Sequence, residues 1–404
     1  MFMDILAGIL VLFLTFVYIH NKKDPKKLFE VYSQPGKWYF LKYPLFLMLL
    51  VLRRLRYYVN GKKLYNEAEL DKRQPLSEHP LAFDAIFFHA ISQDGIFLAA
   101  GAERRHANII NGLLYIKHPD LGLLKSLKLP ETRLAEAPEG ADTDKEWAIE
   151  GGPRYIVLEP MKKWKMSYNG KMRVHGSEEL VDIEFDAEWF SEMPWFFYDV
   201  DLPAKMLARS VARETWSKEL FENLKEAHQV HYEQMGYLNG TIKANGKILP
   251  LKLDAFRDHS YGRKRDWNLM HRYIFQMLYL ENQCRLILGL VSQPCTASHY
   301  EMGYVVLPNG KIDAIEECDL KLWQHGESGN PSEELGFVVV AGKHTYECKV
   351  QYETTVAHYV GNNVQVKMYE RFGTCEVNGI HGKVIAEWNY SNTNGKFKLD
   401  QYHC

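Results

Sequence analysis

The densest group of residues that could do chemistry lies between positions 231 and 267. It consists of HYEQ at 231–234 and, after a predicted hairpin, RDHSYG at 257–262. Carboxyl, imidazole and phenol groups in such an aromatic neighbourhood are the groups used for acid–base catalysis. In a strand, Asp258 and Ser260 point to one face, whereas His259 and Tyr261 point to the other. The adjacent Asp, His and Ser residues therefore cannot form a catalytic triad by themselves.

Two interpretations of Asp258 follow from the residues alone. In or beside an apolar cavity, burial would raise the pKa of its carboxyl and leave a neutral acid that can donate a proton. Alternatively, Arg257, Arg263 or Arg265 could pair with Asp258 in an ion network that locks the chain. In that second case His231 and His259 would be core histidines with satisfied hydrogen bonds, and both interpretations stay open.

The elements that must position these residues are predicted to be mostly β-strands. From about residue 80 onward, Asn-Gly, the strongest short signal for a hairpin turn, occurs seven times. These pairs stand at 111–112, 169–170, 239–240, 245–246, 309–310, 378–379 and 394–395. Strand-like stretches are 273–280, 285–291, 301–307, 311–315, 346–356, 364–372 and 383–390. Short strands at this spacing predict antiparallel barrels or sandwiches.

One internal segment breaks the β-pattern. Residues 203–230 are rich in Ala, Leu, Glu and Lys, and no Gly or Pro follows Pro203. Apolar residues recur there at helical spacing, and Pro203 suits a first helical turn. We expect a single long helix over 203–230.

The N-terminal end is apolar and then basic. Residues 5–19 carry no charge, and four lysines follow at 22, 23, 26 and 27. A cleaved signal peptide would place positive charge before the apolar stretch, so an uncleaved membrane anchor is favoured. The lysines predict that the body faces the cytosol, in a membrane whose organelle the sequence does not identify. A second apolar stretch at 43–52 either lies among lipid headgroups or packs as a helix on the body.

The gross composition excludes several classes of function. The chain has 404 residues and a net charge of -2, so its size suits two domains and its charge gives no case for nucleic acid. No histidine or cysteine pattern has the spacing of a metal site. The Gly-rich motifs that bind nucleotide cofactors are missing too, and no cofactor is expected.

The HYEQ and RDHSYG segments, with the following Arg265-Asp266-Trp267, resemble the tandem lipocalin-like family that includes carotenoid 1,2-hydratases, AttH-type proteins and fungal Diels–Alderases. The stretch 155–160, followed by Trp164 and the segment 168–170, is similar to the matching part of the first domain. The likeness runs from about residue 81 to the C-terminus and is strongest to an animal branch. Tyr261 stands where members often have Trp, and neither the anchor nor the long helix is a general family feature.

The resemblance implies a mostly β fold of two tandem lipocalin-like antiparallel barrels, here with an N-terminal membrane helix and one long inserted helix. It also implies Asp258 as an acid that protonates a substrate double bond. The candidate catalytic residues are Asp258, His231, Glu233 and Tyr261. The candidate ligand-binding residues are Tyr232, His259, Trp267, Arg257, Arg263 and Trp164.

These inferences define an expected organisation and three candidate functions. The expected parts are an anchor at 1–24, a basic juxtamembrane segment at 25–75, a first barrel at 76–250 and a second barrel at 251–404. The first function is binding of an apolar lipid- or isoprenoid-like molecule inside a barrel, next to membrane lipid as a partner. The alternatives are a hydratase- or isomerase-type enzyme that uses Asp258, and a non-catalytic membrane scaffold.

Overall fold

The structure, a computed structural model, describes residues 2–59, 66–138 and 144–392. It is mostly β, as predicted, and helices occur at the N-terminus and between strands of the first sheet. The helices are α1 (Phe2–Asn21), α2 (Tyr39–Val59), α3 (Glu67–Leu70), α4 (Tyr198–Asp201), α5 (Ala204–Arg213) and α6 (Lys218–Glu226).

The first sheet has twelve antiparallel strands, eight of which close on themselves. Its strands are β1 (Phe83–Ile91), β2 (Phe97–Arg105), β3 (Ile109–His118), β4 (Gly122–Ser126), β5 (Arg133–Ala135), β6 (Glu146–Ala148), β7 (Arg154–Glu159), β8 (Lys163–Val174), β9 (Leu180–Phe190), β10 (Trp195–Phe197), β11 (Gln229–Ala244) and β12 (Lys247–Gly262). Pairing runs β11-β12-β1-β2-β3-β4-β8, and β9 joins β8 to β11. Closure in this way leaves those eight strands without a free edge.

The expected boundary between residues 250 and 251 falls inside β12. This strand pairs along its whole length with β11 and, from Asp254 to Gly262, with β1. Residues 251–262 are therefore strand partners within the first closed sheet. The RDHSYG segment belongs to that sheet and not to the second one.

The second sheet is an eight-stranded antiparallel barrel in which each strand pairs with its neighbours in the chain. Its strands are β13 (Arg272–Leu280), β14 (Arg285–Gln293), β15 (Ala297–Val306), β16 (Ile312–Cys318), β17 (Glu334–Ala341), β18 (His344–Val360), β19 (Val366–Val377) and β20 (Ile380–Ser391). The last strand pairs with the first and closes the barrel. The strand-like stretches predicted between residues 273 and 390 all coincide with these strands.

Only some of the Asn-Gly pairs make turns. The pairs at 245–246, 309–310 and 378–379 connect strands, whereas those at 111–112, 169–170 and 239–240 lie inside β3, β8 and β11. The prediction of a turn at these three was wrong. At Gly240, a Cβ atom would come within 2.3 Å of the carbonyl oxygen of Asp186, so glycine permits the close approach of β9 to β11. The pair at 394–395 lies outside the described residues.

The predicted single helix over 203–230 is also wrong, because the chain forms α5 and α6 with a break at Glu214. The carboxylate of Glu214 accepts hydrogen bonds from the backbone N–H of Ser298 and from the hydroxyls of Ser33 and Ser298. The hydroxyl of Ser217 then accepts from the Leu220 N–H and begins α6 as an N-cap. Strand β11 already begins at Gln229.

The interior of the first closed sheet is filled by side chains. Trp147, Trp164, Trp189 and Tyr155 are completely buried within one apolar cluster. A second apolar cluster fills the barrel of β13–β20 around the buried Trp388. A third cluster lies between the two sheets, where their outer faces meet, and has Phe256 and Tyr304 among its members.

The N-terminal segment is attached to the second barrel. Tyr32 is fully buried and donates a hydrogen bond from its hydroxyl to Glu327, while the Ser33 N–H donates to the Ser298 hydroxyl. Helix α2 packs beside α5 and α6 through Phe46, which contacts the rings of Trp216 and Phe221. Among the described residues, no helix combines the length and apolar character needed to cross a bilayer. The transmembrane anchor expected at 1–24 is thus not confirmed.

Candidate functional site

The pairing of β11 with β12 decides which side chains meet. Glu233 lies directly opposite Asp258, and Tyr232 lies opposite His259. Directly opposed residues of an antiparallel pair share one face of the sheet, and successive residues alternate between faces. Asp258 consequently points toward the second barrel and His259 into the first, which confirms the alternation predicted from the sequence.

On the outer face, four side chains form what we call the acid cluster: Tyr198, His231, Glu233 and Asp258. Nε2 of His231 lies 3.3 Å from Oε1 of Glu233 and 3.4 Å from Oδ2 of Asp258. The Tyr198 hydroxyl donates to Oε1 of Glu233 over 2.7 Å. Its ring stacks on His231 with the centroids 4.5 Å apart. Three of the four predicted catalytic residues are thus in contact with one another.

The side chains of the acid cluster differ in how far they are exposed to solvent. The side chain of Asp258 is 20% exposed and that of His231 is 14% exposed, whereas Glu233 is fully buried. Burial raises the pKa of Glu233 to about 7, with a further upward contribution from Asp258, although His231 and the hydrogen bond from Tyr198 act in the opposite direction. A carboxyl with a pKa near neutrality can both hold and release a proton under physiological conditions.

The polar atoms of the acid cluster are incompletely paired. Among the described residues, Oδ1 of Asp258 has no hydrogen-bond partner, and Nε2 of His231 lies 3.3 and 3.4 Å from its two carboxyl neighbours, whereas Glu233 is also hydrogen-bonded to Tyr304. Buried polar groups are nearly always paired, and each unpaired one costs on the order of 1–3 kcal/mol. Buried acid–base groups in mutual contact with incomplete pairing are a feature of sites shaped for a ligand or a reaction.

A second group of ionisable residues, the carboxyl pair Glu370 and Glu387, lies on the same interface and was not predicted. These two residues face each other across β19 and β20. Burial raises the pKa of each to about 8, and Glu370 raises the pKa of Glu387 further. Oε2 of Glu370 is 2.9 Å from Nε2 of His89, and Tyr273 donates to Glu387. Burial in turn lowers the pKa of His89 to about 4.

A sequence signal for this pair existed but was weak. Glu370 shares its strand face with Met368 and Phe372, and Glu387 shares its face with Ile385, so each is an acid on an apolar face. An isolated acid in an apolar strand pattern indicates either a surface position or a buried functional group. Only the packing of the two sheets distinguishes these cases.

The inner face of the same ladder carries a different set, which we call the interior network. It comprises Asp71, Asp84, Tyr232, Arg257 and His259, all at most 1% exposed. Arg257 donates to Asp71 over 2.6 Å, Tyr232 donates to Asp71 over 2.8 Å, and Nε2 of His259 lies 2.7 Å from Oδ1 of Asp84.

The two aspartates of the interior network are saturated with donors. Asp71 also accepts from the Met161 N–H and from the indole N–H of Trp164. Asp84 also accepts from Arg104, the indole N–H of Trp147 and the Gln74 N–H. The guanidinium of Arg257 lies 4.8 Å from the ring of Trp189 and 5.2 Å from that of Trp164. Four predicted ligand-binding residues (Tyr232, His259, Arg257 and Trp164) are therefore engaged inside the first sheet.

The remaining predicted site residues lie elsewhere. The ring of Tyr261 is 5.2 Å from that of His259, on the inner side of β12. Arg263 is at the surface and donates to Glu226, and Trp267 is buried in a small cluster with Val360 and Met368.

Among the described residues, the arginines of the motif make no direct ion pair with Asp258, although burial lowers the pKa of Arg265 and the charges of Glu103 and Asp258 act in the opposite direction. Arg257 pairs with Asp71 and Arg263 with Glu226, while Arg265 donates to Gln229 and Ser260. No group of three or more His, Cys, Asp or Glu side chains within the described ranges could hold a metal ion.

Comparisons with known proteins place the chain in a family and give distant structural likenesses. A family model described as a family of unknown function, DUF8627, matches residues 5–390. No curated protein matches the chain.

Three solved structures illustrate the distant likeness. A candidate AttH protein of Nitrosomonas europaea is 9% identical, with a TM-score of 0.46 over 77% of this chain and 92% of its own. Kievitone hydratase from Nectria haematococca is 11% identical, with a TM-score of 0.45 over 77% of this chain and 89% of its own. CghA in complex with Sch210972 is 8% identical, with a TM-score of 0.43 over 82% of this chain and 97% of its own.

Proposed function

The chain belongs to DUF8627, a family of unknown function, and we propose that it binds an apolar, unsaturated small molecule beside the acid cluster and acts on it by proton transfer. The observation that carries the proposal is the contact of His231 with both Glu233 and Asp258 in a largely buried setting. This arrangement places an imidazole between two carboxyl groups, so that a proton can be shared among the three side chains.

In the proposed mechanism, the three residues have separate tasks. Glu233, with a pKa of about 7, holds the proton, and His231 passes it to Asp258, which is the most exposed of the three. Tyr198 fixes the Glu233 carboxyl through its hydrogen bond and fixes the imidazole by stacking. Asp258 is the group that contacts the ligand.

The reaction class follows from this proton path. The carboxyl of Asp258 gives its proton to one alkene carbon, whose π electrons form the new C–H bond and leave a cation on the adjacent carbon. Loss of a proton from a neighbouring carbon to the Asp258 carboxylate gives an isomerised alkene. Attack by water, with loss of one water proton to that carboxylate, gives an alcohol, so the enzyme returns to its starting state in either case.

We place the ligand at the exposed edge of the acid cluster, beside the partly exposed Asp258, and not inside a barrel. The interior of the first sheet is filled by aromatic side chains, whereas the acid cluster adjoins the apolar cluster that includes Phe196, Phe256 and Tyr304. Aromatic faces stabilise a nearby cation by about 0.5–2 kcal/mol each, which suits an intermediate of this type.

A non-catalytic scaffold is the second candidate. The observation in its favour is the dense filling of both barrel interiors, which is also what a purely structural pair of barrels would show. It does not account for the contact of His231 with two carboxyl groups in the acid cluster.

The two candidates differ in a deuterium-exchange experiment. Full-length protein is purified from its native membrane fraction, incubated in heavy water and extracted with organic solvent, and the extract is examined by mass spectrometry. We expect an apolar ligand whose mass increases through deuterium incorporation, faster than for the same compound free in solution. In Glu233→Gln the ligand should be present without this increase, and Arg263→Ala should behave as the wild type.

The other possible results of this experiment favour a different function. A bound ligand that exchanges no faster in the wild type than in Glu233→Gln would show a binding protein without proton-transfer activity. An extract without any apolar ligand, repeated after incubation with membrane lipid extract, would favour the scaffold.

We also propose that the protein is membrane-associated with its body in the cytosol. The support is the run of exposed lysines at 22, 23, 26 and 27, because cytosolic flanks of membrane segments are enriched in Lys and Arg. Protection of the C-terminal body from protease in intact microsomes would contradict this orientation.

A further inference from the structure

Helix α2 has two faces that differ in their surroundings. Tyr43, Phe46, Leu47 and Leu50 are half-buried on the side that packs toward the body. The opposite side is exposed along the whole helix. It carries Leu41, Leu45, Met48, Leu52, Leu55 and Val59 at spacings of three or four residues.

The exposed stripe of α2 is unusually apolar. Each of its six residues is at least 46% exposed, and Phe40, Leu49 and Val51 at its margins are also exposed. Contiguous apolar surface of this kind is rare on soluble proteins and marks a contact with a partner or a membrane. The question is which of these covers it.

Charge around the stripe indicates an anionic lipid surface. Arg53 and Arg56 are exposed beside the stripe, and the lysines at 22, 23, 26 and 27 are exposed in the segment that precedes α2. This segment is held near the start of α2, because Asp24 accepts a hydrogen bond from the Lys37 N–H. Apolar side chains bordered by cations on one helix are the pattern of a helix that lies in the headgroup region.

The stripe also lies close to the acid cluster. Arg53, near the end of α2, is 3.8 Å from the carboxylate of Asp199. The preceding residue, Tyr198, stacks on His231 and donates to Glu233. The contact with α2 and the acid cluster thus involve adjacent residues of α4, Asp199 and Tyr198.

We propose that α2 lies in the headgroup region of an anionic bilayer, with its exposed stripe among the acyl chains, and brings the acid cluster to the membrane surface. The ligand then enters from the bilayer; this last step rests on the proposed function, whereas the docking does not. Helix α2 contacts the bilayer through its own side chains, whether or not another segment also holds the chain at the membrane.

A positional test uses lipid crosslinking. The photoreactive residue p-benzoyl-phenylalanine replaces Leu52 in the stripe or, as the control, Ile248, which is 68% exposed on the first sheet. Full-length protein is irradiated with vesicles of phosphatidylcholine alone or mixed with fluorescent phosphatidylserine. We expect crosslinked phosphatidylserine at position 52 and background at position 248.

A second variant tests the contribution of the arginine charges on α2. Arg53→Gln combined with Arg56→Gln should lower the yield of crosslinked phosphatidylserine at position 52 in the mixed vesicles, and an unchanged yield would contradict the part of the proposal that assigns the anionic lipid to these charges. Equal yields at positions 52 and 248 would overturn the docking proposal. Glu233→Gln should leave the crosslink unchanged, so a failure of the docking and a failure of the proton-transfer function are distinguishable.

Discussion

The two faces of the β11–β12 ladder present the same residue types in opposite states. On the inner face, Asp71 and Asp84 each accept several hydrogen bonds, and Arg257 balances the charge of Asp71. On the outer face, Glu233 and Asp258 face each other and both contact the imidazole of His231, and neither makes a direct ion pair with an arginine among the described residues. The inner face is built for stability, and the outer face keeps a proton available at a cost in stability.

The largest expected effect is on proton transfer by the outer face. Glu233→Gln keeps the shape of the side chain and its hydrogen bond with Tyr198 but cannot exchange a proton. Removal of a general acid or base lowers rates by about 10²–10⁴-fold. We expect a fall of that size in deuterium incorporation into the bound ligand, with the amount of ligand unchanged. A rate equal to that of the wild type would assign the chemistry to other groups.

The next largest effect is on the stability of the inner face. Asp71→Asn leaves Arg257 buried without its counter-charge, which costs about 3–5 kcal/mol in comparable buried pairs. Urea denaturation measures the free energy of unfolding. The matched variant on the outer face, Asp258→Asn, should change it by less than about 0.5 kcal/mol or raise it. Equal losses in the two variants would remove the distinction between the faces.

A smaller effect is expected from the carboxyl pair Glu370 and Glu387 when the pH is varied. Their pKa values are about 8 in the folded protein against an ordinary value of 4.5, so the folded state binds more protons than the unfolded state in this range. Stability should therefore fall as the pH rises from 6.5 to 8, by about 2 kcal/mol for one retained proton. Glu233, with its raised pKa, contributes in the same direction.

Two buried histidines change the stability in the opposite direction as the pH rises, and their effect lies mainly at lower pH. Burial lowers the pKa of His89 to about 4 and that of His358 to about 3, so their effect ends near the ordinary value of 6.5. Urea denaturation between pH 6.5 and 8 is compared between the wild type and a variant of the carboxyl pair, because the histidine contribution is common to both. The combined variant Glu370→Gln and Glu387→Gln should flatten the profile, and an equally steep profile in this variant would contradict the assignment.

The smallest effect concerns the two arginines of the RDHSYG region. Arg263 pairs with Glu226 at the surface, and such pairs contribute about 0.2–1 kcal/mol. Arg263→Ala should accordingly lower the free energy of unfolding by less than about 1 kcal/mol, whereas Arg257→Ala should cost several times more. Thermal denaturation of the two variants side by side checks this order, and the reverse order would show that burial is not what separates them.

The sequence was sufficient for the local geometry of the site. Strand alternation predicted that Asp258 and His259 point to opposite faces, and the family resemblance implied the grouping of His231 and Glu233 with Asp258. It was not sufficient to divide the candidates into catalytic and structural residues. That division depends on Asp71 and Asp84, which come from distant parts of the chain. These two aspartates accept hydrogen bonds from the donor groups on the inner face.

Other features depended on tertiary contacts in the same way. The break between α5 and α6 arises because Ser33 and Ser298 bind the carboxylate of Glu214, and neither residue is near it in sequence. Glu370 and Glu387 become a buried pair only when the two sheets pack against each other. The Asn-Gly pair at 239–240 stays extended because β9 pairs closely with β11 at Gly240.

The central claim, that the outer face holds an exchangeable proton, is tested most directly by titrating Glu233 itself. In protein labelled with ¹³C at the side-chain carboxyl of glutamate, the resonance lost in Glu233→Gln identifies this residue in the NMR spectrum. We predict a titration midpoint near pH 7, raised by burial and by Asp258. A midpoint near the ordinary value of 4.5 would show a solvated or fully compensated carboxylate and would contradict the account.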